Sequence, residues 1–353
     1  MMSSPILVPE EMEHRNDRRR GGWPVRRRSG RAAGVMPALA LAAGGLLLLA
    51  GLATPSSSGA APPDDCDRLA ASALDPGRRG PGVSWDRLDP ARAVPACRAA
   101  LQRVPDDPRF KFQYGRALHK AGEQAEAANW YRDAAGQGFA PAQNNLGVMY
   151  SDGHGVPRDD AEAVKWYRMA AEQGYVVGQY KLGFMYLLGQ GVPRDDALAA
   201  TWYRKAAEQG FALAQNNLGA MYQTGQGVPK DYGEAAKWYR MAAEQGSAVA
   251  QYNLGVAYEQ GRGVPQDESE AVSWYRAAAD QDHGPAQNNL GVMYAEGRGV
   301  AQDHGEAADL FRKAAERDVA LAQTNLAVMY FTGRGVPWDL LEAVKWFLES
   351  LFD

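Results

Sequence analysis

Few residues of this 353-residue chain could do chemistry, and each has a structural role to be weighed beside the chemical one. Cys66 and Cys97 are its two cysteines. A thiolate nucleophile or a metal site would need a base or CxxC spacing, and neither accompanies them in sequence. An isolated, close pair in an exported chain instead predicts one disulfide, worth about 3 to 4 kcal/mol in the chain-entropy account. His119, His154, His283 and His304 have no metal-ligand spacing. Asp159 with Glu162 has the composition of an acid/base pair, but the pair recurs at the start of successive apolar-periodic segments, where capping explains it. The glycine loop GxGVP lacks the GxGxxG spacing of a phosphate cradle and follows a helical pattern instead of a strand, so it is a turn. Trp166, Trp202, Trp238 and Trp274 form a column that reads as repeat packing before it reads as a sugar or base platform. No catalytic machinery, metal or cofactor is expected.

Eight arginines in residues 1–34 (Arg15, Arg18, Arg19, Arg20, Arg26, Arg27, Arg28 and Arg31) stand against Glu10, Glu11, Glu13 and Asp17. The rest of the chain is therefore more acidic than the formal net charge of -4, and no nucleic-acid partner is expected. Residues 35–54, Val35 to Thr54, carry no charge and have the length of a bilayer span. They predict either a transmembrane anchor or a signal peptide cut after Ala53, and the arginine flank places everything from Pro55 onward outside the cytoplasm. Residues 55–65 are a Pro/Ser/Ala-rich linker with too little apolar character to fold.

From residue 109 the sequence repeats. Leu146-Gly147, Leu182-Gly183, Leu218-Gly219, Leu254-Gly255, Leu290-Gly291 and Leu326-Ala327 recur every 36 residues. The aromatic pairs from Trp166-Tyr167 to Trp346-Phe347 and the loops from Gly153 to Asp159 onward keep the same step. Apolar residues three and four apart, as in Ala142, Leu146 and Tyr150, predict one helix before each loop, and Ala163, Tyr167 and Ala170 predict one after it. Asp159 with Glu162, and its counterparts, predicts a capping box. Gly138, Gly174, Gly210 and Gly246, with Asp282 and Asp318 in later copies, stand where a left-handed helix terminus is needed.

The pattern AxAQxxLGxxYxxGxGVPxDxxxAxxWYxxAAEQG resembles the Sel1-like repeat, a subclass of the tetratricopeptide-type solenoids, over residues 109–353. The resemblance implies an all-α, right-handed α/α solenoid of about seven helical hairpins. Its parts would be a cap and half repeat (66–108), a tetratricopeptide-type repeat (109–140) and six Sel1-like repeats (141–176, 177–212, 213–248, 249–284, 285–320 and 321–353). Within the cap, Cys97 takes the aromatic position of a second helix, so a bond to Cys66 would staple it. Some secreted members carry a cysteine pair in every repeat and a penicillin-related activity; these repeats have no cysteines.

The expected function is a non-catalytic scaffold of the bacterial cell envelope that binds a protein or peptide in a concave groove, held to the membrane through residues 35–54 or released. The alternative is a cell-wall- or β-lactam-interacting hydrolase of the cysteine-rich type. In the family comparison the inner face is lined by Tyr180, Phe184, Leu187 and Leu188, an apolar stripe expected to anchor the partner, with Tyr252 farther along. Asn144, Asn216 and Asn288 are expected to pair with the partner's backbone or, in the other reading, with neighbouring helices. The last hairpin (Trp338, Leu340, Leu341, Trp346, Phe347, Leu348, Leu351 and Phe352) is more apolar than earlier copies, which suggests docking, including self-association, or a missing natural cap.

Overall fold

The computed structural model describes residues 64–351 apart from Pro76 and Gly80. The basic tail, the apolar run 35–54, the linker up to residue 63 and Phe352 lie outside the described residues. Among the described residues there are 16 helices and no strand, and no helix is long and apolar enough to cross a membrane. A cap of α1 (Asp65–Ala70) and α2 (Pro90–Arg103) precedes the hairpin α3 (Pro108–Ala121) and α4 (Gln124–Gly136). Six hairpins follow. They pair α5 (Ala140–Asp152) with α6 (Asp160–Glu172), α7 (Val176–Leu188) with α8 (Asp196–Glu208), and α9 (Ala212–Thr224) with α10 (Tyr232–Glu244). The remaining three pair α11 (Ala248–Gln260) with α12 (Glu268–Ala279), α13 (Gly284–Glu296) with α14 (His304–Ala315), and α15 (Ala320–Thr332) with α16 (Leu340–Glu349). Each helix packs on the ones before and after it, which makes the stack a solenoid.

Aspartate starts the second helix of each of the six later hairpins, whereas α4 starts at Glu123 with no side-chain cap. Asp159 accepts the Glu162 N–H at 3.0 Å, and Asp195, which lacks the glutamate, accepts the Leu198 N–H at 2.9 Å. The full capping box is not formed, because the backbone N–H that glutamate would satisfy is already used: Asp159 donates to the Tyr150 carbonyl at 2.9 Å and Asp195 to that of Tyr186 at 2.9 Å. Glu162 turns to Lys165 instead (2.5 Å). At the far ends Asp282 and Asp318 adopt φ of 63° and 58°, the conformation the glycines take in earlier copies. The second glycine of each GxG loop lies on the preceding hairpin: a Cβ on Gly191 would strike the Asp160 carbonyl, so the loop is itself an inter-repeat contact.

Two further ladders tie hairpin to hairpin. Gln143 donates to the Ala135 carbonyl (3.1 Å) at the end of the preceding helix and accepts from Gln173 (2.6 Å), an arrangement repeated by Gln179 with Gln209, Gln215 with Gln245 and Gln251 with Gln281. Arg168 donates to the Tyr186 hydroxyl of the next hairpin at 2.9 Å, as do Arg204 to Tyr222 and Arg240 to Tyr258. At the other end, a disulfide joins Cys66 of α1 to Cys97 of α2, their Cα atoms 4.6 Å apart. Asp67 of α1 pairs with Arg109 of α3 and accepts from Gln113 at 2.9 Å.

Candidate partner-binding surface

The inner face predicted from sequence is largely interior. Tyr180 is 2% exposed, Phe184 7% and Leu187 4%; of that stripe only Leu188, at 46%, faces solvent. The Tyr180 ring stands 5.6 Å from that of Tyr203 and 5.3 Å from that of Phe211, filling the gap between its own hairpin and the next. Phe184 and Leu187 belong to the same buried cluster, which reaches Trp238. The expectation of an exposed aromatic anchor at Tyr180, Phe184 and Leu187 is thus corrected: adjacent hairpins close over the stripe.

The asparagines are corrected in the same way. Asn144, Asn216 and Asn288 are buried, and they serve the solenoid itself. Asn253 donates to Asn216 Oδ1 at 3.1 Å and Asn325 to Asn288 Oδ1 at 2.9 Å, each linking the first helices of adjacent hairpins; Asn144 donates to Asn145 at 3.3 Å. Tyr252 is half-buried, its ring 5.9 Å from Tyr275 and 5.1 Å from His283.

Accessible side chains on the first helices include Leu188, then Tyr252, Val256 and Glu259 of α11, Val292 and Ala295 of α13, and, more exposed, Val328 (53%) and Phe331 (61%) of α15. Tyr252, Val256 and Glu259 share one face by their i, i+4, i+7 spacing. Glu259 anchors a polar network missed in the sequence: it accepts from the Tyr275 hydroxyl at 2.6 Å and pairs with Arg298 at 2.9 Å, while Arg298 also reaches Glu268 (2.9 Å) and Glu296 (3.3 Å). Burial and the Glu259 charge push the Tyr275 phenol up, so it remains a neutral donor. The only advance signal was Arg298 in a loop position held by His154 or glutamine in the first three repeats. The cavity lined by Gln223, Tyr232, Tyr239 and Val256 holds about 10 Å³, the space of one water. An open cleft lined by Arg312, Tyr330, Trp338 and Trp346 lies at the last hairpin. Among the described residues no group of His, Cys, Asp and Glu is placed to hold a metal ion.

The Sel1 repeat model matches residues 140–175, 176–211, 212–247, 248–283, 284–319 and 320–350. The chain belongs to the Sel1 repeat family. Such repeats are generally protein-interaction scaffolds and generally non-catalytic. Among solved structures, the chain is similar to a protective antigen of uropathogenic Escherichia coli strains displaying an SLR fold, with 34% identity and a TM-score of 0.66 over 79% of this chain and 59% of that one. A Sel1 repeat protein from Oxalobacter formigenes is 33% identical, with a TM-score of 0.63 over 68% of this chain and 96% of its own. A 67-residue stretch is 34% identical to the cellulose synthase operon protein C of Komagataeibacter xylinus, 19% of this chain and 5% of that protein. This chain therefore spans 59% of the Escherichia coli chain and a small fraction of the cellulose synthase operon protein.

Proposed function

We propose that this Sel1 repeat protein is a non-catalytic scaffold of the bacterial cell envelope, and that it holds a partner polypeptide along the accessible part of its first-helix face. The observation carrying the reading is the set Leu188 on α7, Tyr252 and Val256 on α11 and Val292 on α13: accessible apolar side chains on first helices that capping, glutamine and arginine–tyrosine ties make rigid. A pre-ordered apolar set binds with little ordering cost, and its polar neighbour Glu259 supplies direction. The anchor set moves accordingly from Tyr180 and Phe184 to Leu188, Tyr252, Val256 and Val292. The envelope assignment is supported by the arginine-flanked apolar run 35–54 and by the Cys66–Cys97 pair. The hydrolase alternative has no cysteine in the repeats to rest on.

Affinity capture from detergent-solubilised membranes, run beside a Leu188→Asp, Val256→Asp double variant, tests the reading. The wild-type chain should retain a specific protein that the variant loses by about tenfold or more, with unchanged helical circular dichroism. Equal retention by a folded variant would remove this face from the proposal. A C-terminal alkaline phosphatase fusion should be active in cells; an inactive fusion would reject the envelope location.

A further inference from the structure

Between α1 and α2 the chain leaves the repeat pattern in a strap, residues 71–84, closed by the Val83 N–H on the Ala71 carbonyl at 2.7 Å. Among the described residues from Ser72 to Ser84, the single buried side chain is Asp75, 0% exposed. Its Oδ1 accepts the Gly77 N–H at 2.8 Å, and its Oδ2 is buried without a hydrogen bond. Beneath the strap lies α3, which carries Arg109, Lys111, Arg116 and Lys120 and no carboxylate. Arg109 is held by Asp67 and by Asp107 (3.2 Å), and Lys111 by Asp133 (2.9 Å).

Arg116 is different. It is 5% exposed, and its guanidinium donates to two main-chain carbonyls, Ala70 at 2.7 Å and Val83 at 3.1 Å, with no ion-paired carboxylate among the described residues. Asp75 and Arg116 are close enough to attract each other, yet burial pushes the Asp75 carboxyl up and the Arg116 guanidinium down. Burial, the largest cause, pushes the Tyr175 phenol up, the Asp75 charge adds to this, and the Arg116 charge opposes it. A buried guanidinium without a bonded counter-charge is costly, and a carboxylate pairing with it in bidentate fashion recovers that cost.

We propose that the face of α3 around Arg116 is a binding site for an extended acidic polypeptide segment, and that the strap 71–84 fills it as an imperfect internal ligand which such a segment displaces. The proposal rests on the scaffold reading and gives it one partner chemistry. Tethering gives the strap the advantage of effective concentration, so the incoming segment must win through the ion pair that Asp75 leaves unmade.

The test uses the full chain with residues 73–82 replaced by a Gly/Ser stretch of equal length, titrated with a fluorescent glutamate-rich peptide. The replaced chain should bind the peptide at least about tenfold more tightly than the wild type, whose strap competes in cis. Arg116→Gln in the replaced chain should weaken that binding about tenfold. A replaced chain that keeps its helicity and fails to bind, or binds equally well with Arg116→Gln, overturns the proposal. If the replacement costs helicity, hydrogen exchange of the wild-type chain decides: excess glutamate-rich peptide must speed exchange at Val83 while α3 stays protected, and unchanged exchange overturns it. Because Leu188 and Val256 are tested separately, failure here leaves the scaffold reading standing.

Discussion

A tyrosine that looks like a binding anchor and one that holds a core differ in what replacing them removes. Tyr180 touches Tyr203 and Phe211 and is 2% exposed, so Tyr180→Ala should cost about 3 kcal/mol of stability or more. Urea unfolding would measure it; an unchanged midpoint with lost partner binding would return Tyr180 to the binding face. The i, i+4, i+7 spacing of Tyr180, Phe184 and Leu187 marks one side of α7 but cannot say how far the next hairpin leans over it. A size signal was present: small Asn216 and Ala220 stand one repeat after large Tyr180 and Phe184. The Leu-Gly signature was easier to read, because it answers to a local contact. A Cβ at Gly255 would lie 2.7 Å from the Tyr275 ring. Where the glycine becomes Ala327, the corresponding aromatic Phe347 is 50% exposed, whereas Tyr275 and Phe311 are buried.

The ends of helices were legible for the same reason: a cap is decided within a few residues. Half of the predicted box is nevertheless missing, since the carbonyl of a tyrosine in the preceding helix satisfies the N-cap N–H, a contact across the loop that sequence spacing does not announce. It follows that Asp231→Ala should destabilise by about 1 kcal/mol, while Glu234→Ala should stay within about 0.5 kcal/mol. Equal losses in denaturant titrations of the two variants would restore the reciprocal box. The cap region also has a pH signature. Burial, then the neighbouring His154, pushes the His119 imidazole down to about 4 from 6.5. The unfolded chain therefore binds more protons between those values, so this contribution to stability is whole above 6.5 and is lost as pH falls toward 4. Thermal melts at stepped pH should show the decline, and His119→Gln should flatten it; parallel profiles for the two chains would place the sensitivity elsewhere.

Period, hairpin and solenoid were legible in the whole chain because each repeat states them again, whereas the accessible face was not, because it depends on the angle accumulated between repeats. The same repetition makes the last hairpin readable by comparison. Val344, Phe347 and Leu351 hold the positions of Val272, Tyr275 and Ala279, which the following hairpin buries; here they are 47%, 50% and 61% exposed. Leu348 replaces the arginine that in earlier copies, as at Arg240, donates to the next hairpin's tyrosine. Trp338, at a position otherwise held by arginine, lysine or glutamine, is 64% exposed, and Leu341 84%. An apolar strip of this kind gains most when another apolar face covers it, and a second copy presents the same strip in self-complementary form. The expected outcome is a dimer in sedimentation equilibrium, dissociating with dilution, that a Trp338→Arg, Leu348→Lys pair converts to monomer without loss of helicity. A wild-type chain that sediments as a monomer at every concentration would exclude pairing through α16 and leave the strip to a different partner.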